Sequence, residues 1–366
     1  MPNPLHTLFG LKDDGTPLMF LAPIAGYSNA PMRRMSQRHG ASLTYTEMAS
    51  ARGLLNPSEK TWSLLETDAH EGPVVAHLFG SDPSVFAEAA ARVEQTNRFV
   101  AIDLNTGCPA WKVMDTGSGA ALINDPQRIH DIVAAMRKSV RLPITVKTRL
   151  GPSPDNVAVY ETLAAVEAAG ASMLTLHGRF TTQGHRGQVN VELIGETKRR
   201  AKIPIVGNGD VHSCHSAWQM FEEARVDAVM IARAAIGNPW IFSDLRTLFT
   251  AKVKPVPHPR TNTRPRRDIH AIQDALDTHL ALLRTHLLTL QEKFGISEDA
   301  EAAMVTAFRC HLFRYLHSLK GAGHLRGQLH KLSTLAAIRH AVTECLTREA
   351  EHRAEGEGRN EGEVRS

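Results

Sequence analysis

Residues 144–178 read ITVKTRLGPSPDNVAVYETLAAVEAAGASMLTLHG. Two continuous apolar runs, ITVKTRL (144–150) and SMLTLHG (172–178), flank a helical stretch, NVAVYETLAAVEAAGA (156–171). A run that does not alternate polar with apolar suits a strand covered on both faces, as in a parallel sheet. The same unit recurs on either side. LMFLAPIAG (18–26), LTYTEMA (43–49), PVVAHLF (73–79) and FVAIDLNTG (99–107) precede it, and IPIVGNG (203–209) and DAVMIAR (227–233) come after it. The helical stretches DPSVFAEAAARVEQ (82–95) and DPQRIHDIVAAMRKSV (125–140) each open on an Asp cap with Pro at the first helical position. HSAWQMFEEARV (215–226) lies behind Ser213, a candidate cap. Eight strands alternating with helices predict an α/β fold, a (β/α)8 TIM barrel. An open doubly wound sheet ranks second, because it would more often show GxGxxG after its first strand, and none is present.

Composition separates the barrel from the rest of the chain. Hydrophobic residues make up 42% and charged residues 22%, which is globular. Residues 252–348 carry 15 Lys/Arg against 8 Asp/Glu, residues 349–366 carry 3 against 6, and residues 1–251 balance at 24 of each. The division expected is a barrel over 1–250, a Pro-rich linker over 251–264, a basic helical domain over 265–348 and a disordered tail over 349–366. DIHAIQDALDTHLALLRTHLLTL and AMVTAFRCHLFRYLHSL place apolar residues at helical spacing within that basic domain. A basic module beside a neutral body points to a polyanionic partner, with Lys320, Arg326 and Lys331 as candidate phosphate contacts. The opening MPNPLHTLFGLKDDG has no basic region leading into an apolar stretch, and no apolar segment approaches the ~20 residues of a membrane span. A cytoplasmic protein with no membrane association is the expectation.

The cysteines stand at 108, 214, 310 and 345, without CxxC pairing. That usage argues against a disulfide framework and against a metal site, and it fits a reducing compartment. Cys108, in LNTGCPAWKV (104–113), is either a small core filler or a reactive thiol.

In such a barrel, chemistry sits at the C-terminal ends of the strands. Polar groups gather there: Glu47, His77, Asn105 and Cys108, Lys147 and Arg149, His177 and Arg179, Asn208 and Asp210, and Arg233. An unpartnered buried charge costs several kcal/mol, so a shared ligand would explain the gathering. GNGD (207–210) ends the seventh strand, and ARAAIGNPW (232–240) lies after the eighth. Loops at these two places often form a phosphate site. With Lys147 and His177 at the same mouth, a phosphorylated cofactor such as FMN is the reading, since a cation near the pyrimidine edge stabilises an anionic reduced flavin.

LAPIAGYSNAPMRR, LNTGCPAWKV, VKTRLG, LTLHGR, VGNGDV and MIARAAIGNPWIF together resemble the tRNA-dihydrouridine synthase family. The resemblance runs from about residue 18 to 245, and more weakly through RCHLFRYLHSLKGAGHLRGQL (309–329). It implies an FMN-dependent TIM barrel with a C-terminal helical domain, which uses NADPH to reduce a uridine of tRNA, in the D loop, to 5,6-dihydrouridine. It also implies roles. Pro23, Ile24 and Ala25 lie against the flavin. His77, Lys147, His177, Asn208, Gly209, Asp210, Ala232 and Arg233 occupy FMN-binding positions. Cys108 matches the catalytic acid that protonates C5 after hydride from flavin N5 reaches C6, and Asn105, Arg149 and Arg179 face the substrate.

The chain departs from the family pattern at four places. His77 replaces a usual Gln, HGRFT with Phe180 and Thr181 replaces HGRTR, Val191 stands where Trp is common, and Ala232 replaces Gly before Arg233. These touch substrate-facing loops more than the redox centre. Two other readings stand beside the main one: an FMN-dependent barrel acting on a small pyrimidine or enone, and a non-catalytic RNA-binding relative. The GCPxxKV spacing and the basic appendage weigh against the first, and joint retention of Cys108, Lys147 and His177 weighs against the second.

Overall fold

The structure, a computed structural model, describes residues 3–56, 59–251, 267–295, 300–316, 319, 322–328 and 331–363. It divides into two units, one of residues 1–235 and 239–259, the other of residues 236–238 and 260–366.

The first unit is a closed parallel barrel. Its strands are β1 (Leu18–Leu21), β2 (Leu43–Tyr45), β3 (Ala49–Ser50), β4 (Val74–Phe79), β5 (Ala101–Asn105), β6 (Ile144–Arg149), β7 (Met173–His177), β8 (Ile205–Asn208) and β9 (Ala228–Ile231). Strand β1 pairs with both β2 and β9, which closes the ring, and β2 pairs with β4. The short β3 pairs only with the far end of β4, so β2 and β3 together form one barrel strand, interrupted at 46–48.

Caps fall where the sequence placed them. Asp82 accepts from the backbone N–H of Ser84 and Val85 ahead of helix Pro83–Gln95, and Asp125 accepts from Arg128 ahead of Pro126–Ser139. Ser213 caps Cys214–Glu222 through the N–H of Ser216. The helix expected from 156 starts at Val159, because the carbonyl of Leu150 takes the N–H groups of Ala158 and Val159 and holds the preceding turn.

An apolar column fills the barrel, including Phe20, Leu43, Tyr45, Val75, Val206 and Met230. Helix Pro4–Phe9, which the apolar pattern did not predict, adds Leu5 and Phe9 to that column beside Leu18, Ala101, Met173 and Ala228, the first residues of their strands. The helix therefore closes the N-terminal end. Each of its two anchors contributes about 1.5–3 kcal/mol by leaving water. The polar strand-end residues lie toward the opposite end.

In the second unit the helices run Ile269–Phe294, Ala300–Tyr315, Ala322–Gln328 and Leu335–Glu363. Asp268 caps the first of them by accepting from Ala271, and Gly295 ends it in a left-handed turn. The last helix ends at Glu363, within the stretch 349–366. Lys331 is exposed. Lys320 and linker residues 252–264 lie outside the described residues, as does the side chain of Arg326.

Candidate active site

The parallel register assembles the site before any side chain is considered. Asn105 sits opposite Lys147, Arg149 opposite His177, and His177 opposite Asn208. Alternation sends every second side chain of a strand to the same face. Lys147 and Arg149 on β6 therefore share a face, and each has a polar counterpart on a neighbouring strand.

Lys147 is half-buried, and its Nζ donates to Oδ1 of Asn208 at 3.0 Å. The Nδ2 of Asn208 donates to the Met230 carbonyl at 2.8 Å, which fixes the amide with its oxygen toward the lysine. Burial, then the nearby Arg149 charge, pushes the Lys147 ammonium down to about 8. Arg149 is 1% exposed. Its Nε donates to the Gly107 carbonyl at 2.7 Å, and its Nη1 reaches the carbonyls of Gly184 at 2.9 Å and Phe180 at 3.2 Å. Burial lowers it to about 10, with Cys108 acting in the opposite sense and Arg179 adding to the shift. Arg149 thus pins the Cys108 loop and the 180–184 loop to one guanidinium.

His177 is buried and stacks with His185, with ring centroids 6.3 Å apart. Burial first, then Lys147, Arg149, Arg179 and His185, drives its pKa far below the ordinary imidazole value. It is a neutral ring at neutral pH. Gly209, at φ +118°, lies against that ring, and a Cβ there would stand 2.9 Å from its Cδ2 and 2.7 Å from Val189. No side chain fits that approach.

The next residue, Asp210, has φ +48°. This left-handed conformation is tolerated by Asp better than by most residues. It presents the carboxylate to Arg179 and, at 3.5 Å, to Arg233. Arg179 also donates to the Arg186 and Gly187 carbonyls at 3.1 and 2.6 Å. Its buried Nη1 finds no hydrogen-bond partner among the described residues. Arg233 opens the turn after β9 and is half-exposed.

On the other side of the mouth, the Oδ1 of Asn105 accepts from the N–H of Gly107 at 2.9 Å and of Cys108 at 3.0 Å. The Nδ2 of Asn105 faces the weakly accepting sulfur of Met48 at 3.4 Å. The Cys108 carbonyl accepts from Ala120 at 3.0 Å. Gly119 makes that possible, since a Cβ at its φ of +60° would lie 2.8 Å from the Cys108 oxygen. The thiol is half-buried and free.

His77 donates or accepts through Nδ1 at 2.6 Å from Oδ2 of Asp103, and Thr145 donates to the other oxygen of that carboxylate at 2.5 Å. Asp103 therefore orients the ring. Residues 23–25 lead into a turn at 25–27, where the N–H of Ile24 donates to Ser28 Oγ at 2.9 Å and Gly26 donates to the Glu47 carboxylate. Burial raises the Glu47 pKa, while the Gly26 N–H and Arg33 oppose the rise. Ile24 and Ala232 pack on the apolar column.

The predicted residues thus come to one end of one barrel. Asp103, Gly119 and His185 belong to the site without having been predicted. A carboxylate inside the apolar run FVAIDLNTG was the available sign of the first. Four cations, Lys147, Arg149, Arg179 and Arg233, gather above the apolar floor, and the carboxylate of Asp210 meets only the last two. That excess of positive charge, with a spare buried donor on Arg179 and a glycine that admits close approach, fits a flat ring carrying a phosphate.

A profile of the dihydrouridine synthase (Dus) family matches residues 20–351. A probable tRNA-dihydrouridine synthase of Rickettsia bellii is 31% identical over 334 residues, 90% of this chain and 94% of that protein. The tRNA-dihydrouridine synthase B of Pseudomonas aeruginosa is 33% identical over 318 residues, 86% of this chain and 88% of that protein. A probable tRNA-dihydrouridine synthase of Treponema pallidum is 36% identical over 241 residues, 63% of this chain and 71% of that protein. With the profile spanning barrel and helices alike, the chain belongs to the dihydrouridine synthase family, whose members are flavin-dependent oxidoreductases.

Proposed function

We propose that the chain is a tRNA-dihydrouridine synthase of the cytoplasm, which uses FMN and NADPH to reduce a D-loop uridine of tRNA to 5,6-dihydrouridine. The observation that carries this reading is the meeting of Cys108 with Asn105, whose Oδ1 holds the cysteine N–H at 3.0 Å, beside the cationic row begun by Lys147. No helix among the described residues is long and apolar enough to cross a membrane.

FMN, when bound, supplies the hydride that the uracil receives at C6. Pro23, Ile24, Ala25, His77, Lys147, His177, Asn208, Gly209, Asp210, Ala232 and Arg233 would hold it. Lys147 carries the positive charge and neutral His177 a hydrogen bond without added charge. Cys108 donates a proton to C5 of the reduced uracil, the step that completes the double-bond reduction. Asn105 positions the thiol through the backbone and turns its amide toward the substrate. Arg149 and Arg179 act on the substrate side through the 180–187 loop that they tie down.

A stacked uridine cannot reach a barrel mouth, so it is extruded at a cost of a few kcal/mol. The basic helical unit offsets that through phosphate contacts, which makes affinity fall with salt. The test has two parts. The purified protein should be yellow, or become so with added FMN. With NADPH and unmodified tRNA it should form dihydrouridine, detected by mass spectrometry of the digested RNA. A colourless protein indifferent to FMN overturns the cofactor assignment, and unaltered tRNA overturns the activity.

A further inference from the structure

Trp111 is 73% exposed. The other three tryptophans, Trp62, Trp218 and Trp240, are half-buried or buried. Leaving most of an indole in water forgoes the gain of burying the largest apolar side chain, so its position calls for a partner.

That position is three residues beyond Cys108, at the start of the single helical turn Trp111–Met114. The turn is held firmly. The Ala110 carbonyl accepts from Val113 at 2.9 Å and Met114 at 3.0 Å, the Trp111 carbonyl accepts from Asp115 at 2.8 Å, and Cys108 is tied to Ala120. Ser81, after β4, donates to the Thr116 carbonyl at 3.0 Å and fastens the loop to its neighbour. Beside Ser81, Asp82 pairs at 3.9 Å with Arg52, whose side chain is 72% exposed. Lys112 is exposed next to Trp111. Asp82 and Asp115 match the two cations in number, so the indole and not a net charge is the dominant feature of this face. The segment after β5 therefore presents a firmly held indole on the same rim as the thiol, with Lys112 next to it in sequence and Arg52 on the helix Ala51–Leu55 after β3.

We propose that Trp111 is a stacking platform for a nucleobase of the substrate RNA next to the uridine that enters the barrel, with Lys112 and Arg52 facing the phosphates on either side. This inference rests on the proposed tRNA activity. It names the group that receives the neighbour left unstacked when a base is drawn out. Stacking on an aromatic side chain tolerates any base, and flanking cations suit the backbone.

The test uses the FMN-loaded full chain and unmodified tRNA transcript. Trp111→Ala should raise KM for tRNA about tenfold while kcat at saturation and flavin reduction by NADPH stay as in the parent. Trp111→Phe should recover most of the loss. In the parent, tRNA alone should quench tryptophan emission, and the Phe variant should lose that quenching. An unchanged KM in Trp111→Ala together with unchanged quenching in Trp111→Phe overturns the platform. A change in sedimentation of Trp111→Ala without a change in KM also overturns it, by assigning the indole to self-association. Should the parent form no dihydrouridine, the activity fails, while Trp111-dependent quenching by tRNA still decides the platform.

Discussion

Lys147 on β6 reaches past β7 to donate to Asn208 on β8, at 3.0 Å. The bond keeps a lysine side chain in place while burial pushes its pKa down to about 8. An unfolded lysine still holds its proton between pH 8 and its ordinary value of 10.5, where the folded one has released it, so folding becomes relatively more favourable as pH rises through that window. In flavin-free protein, Lys147→Met should therefore flatten part of the rise in Tm between these pH values. Anion binding responds in the opposite direction, because it needs the charged form. FMN affinity should decline above about pH 8 in the parent and be about 10- to 100-fold weaker in Lys147→Met at pH 7, measured by flavin fluorescence titration. Parent affinity that is constant across this range would remove Lys147 from the flavin site.

Cys108 is held by its own backbone, not through its side chain: Asn105 accepts its N–H and Ala120 donates to its carbonyl. Removing the sulfur should leave that frame standing. Cys108→Ala is expected to keep the flavin and its reduction by NADPH and to lose about 10²- to 10⁴-fold in turnover on tRNA, the usual worth of a general acid. Stopped-flow reduction and then single-turnover RNA analysis separate the two half-reactions. Loss of the flavin itself would show that the cysteine is a structural residue.

Gly119 offers a sharper probe of the same frame. It adopts φ +60°, and a Cβ there would come within 2.8 Å of the Cys108 carbonyl oxygen and of a Val113 methyl. Neither neighbour is the far end of a flexible chain. Gly119→Ala should cost about 1–3 kcal/mol of stability and displace the thiol without altering any chemical group. The expected result is a lower Tm and a fall in tRNA turnover, with flavin binding retained. Parent-like turnover would mean that the placement of this loop is not limiting.

The eight barrel runs were legible because a parallel strand covered on both faces leaves an unbroken apolar string, and the Asp82, Asp125 and Ser213 caps marked where helices begin. LTYTEMA did not stay whole. Thr46 Oγ1 accepts the His77 N–H at 3.0 Å, and Glu47 leaves the ladder to hold Gly26, so the strand breaks between Tyr45 and Ala49. Strand-end residues such as Lys147, His177 and Asn208 could be singled out because the two-residue period aims them at one mouth. The pairing of Arg179 with Asp210 could not, since it depends on a left-handed turn at Asp210 that no residue spacing encodes. Helix Pro4–Phe9 is too short for periodicity to register, although Pro4 and Gly10 mark its two ends.

That short helix supplies the last prediction. Leu5 is fully buried and Phe9 nearly so, packed among the first residues of β1, β5, β7 and β9. Phe9 also meets Phe20 edge-on, with ring centroids 6.3 Å apart. Asn3 caps the helix through the Leu5 N–H and ties it to the Asp227 carbonyl at 2.6 Å. Truncating either apolar anchor opens a cavity at the floor of the barrel, where the closed ring of strands cannot collapse to fill it. Leu5→Ala should cost about 2–5 kcal/mol and Phe9→Ala about 3–5 kcal/mol, read from urea denaturation. The damage lies at the N-terminal ends of the strands, whereas Cys108 and Lys147 lie at or beyond the C-terminal ends. Below the melting range, flavin affinity and turnover of both variants should therefore match the parent. Full stability in Phe9→Ala would show that the helix is an ornament on a barrel already closed by its own strands.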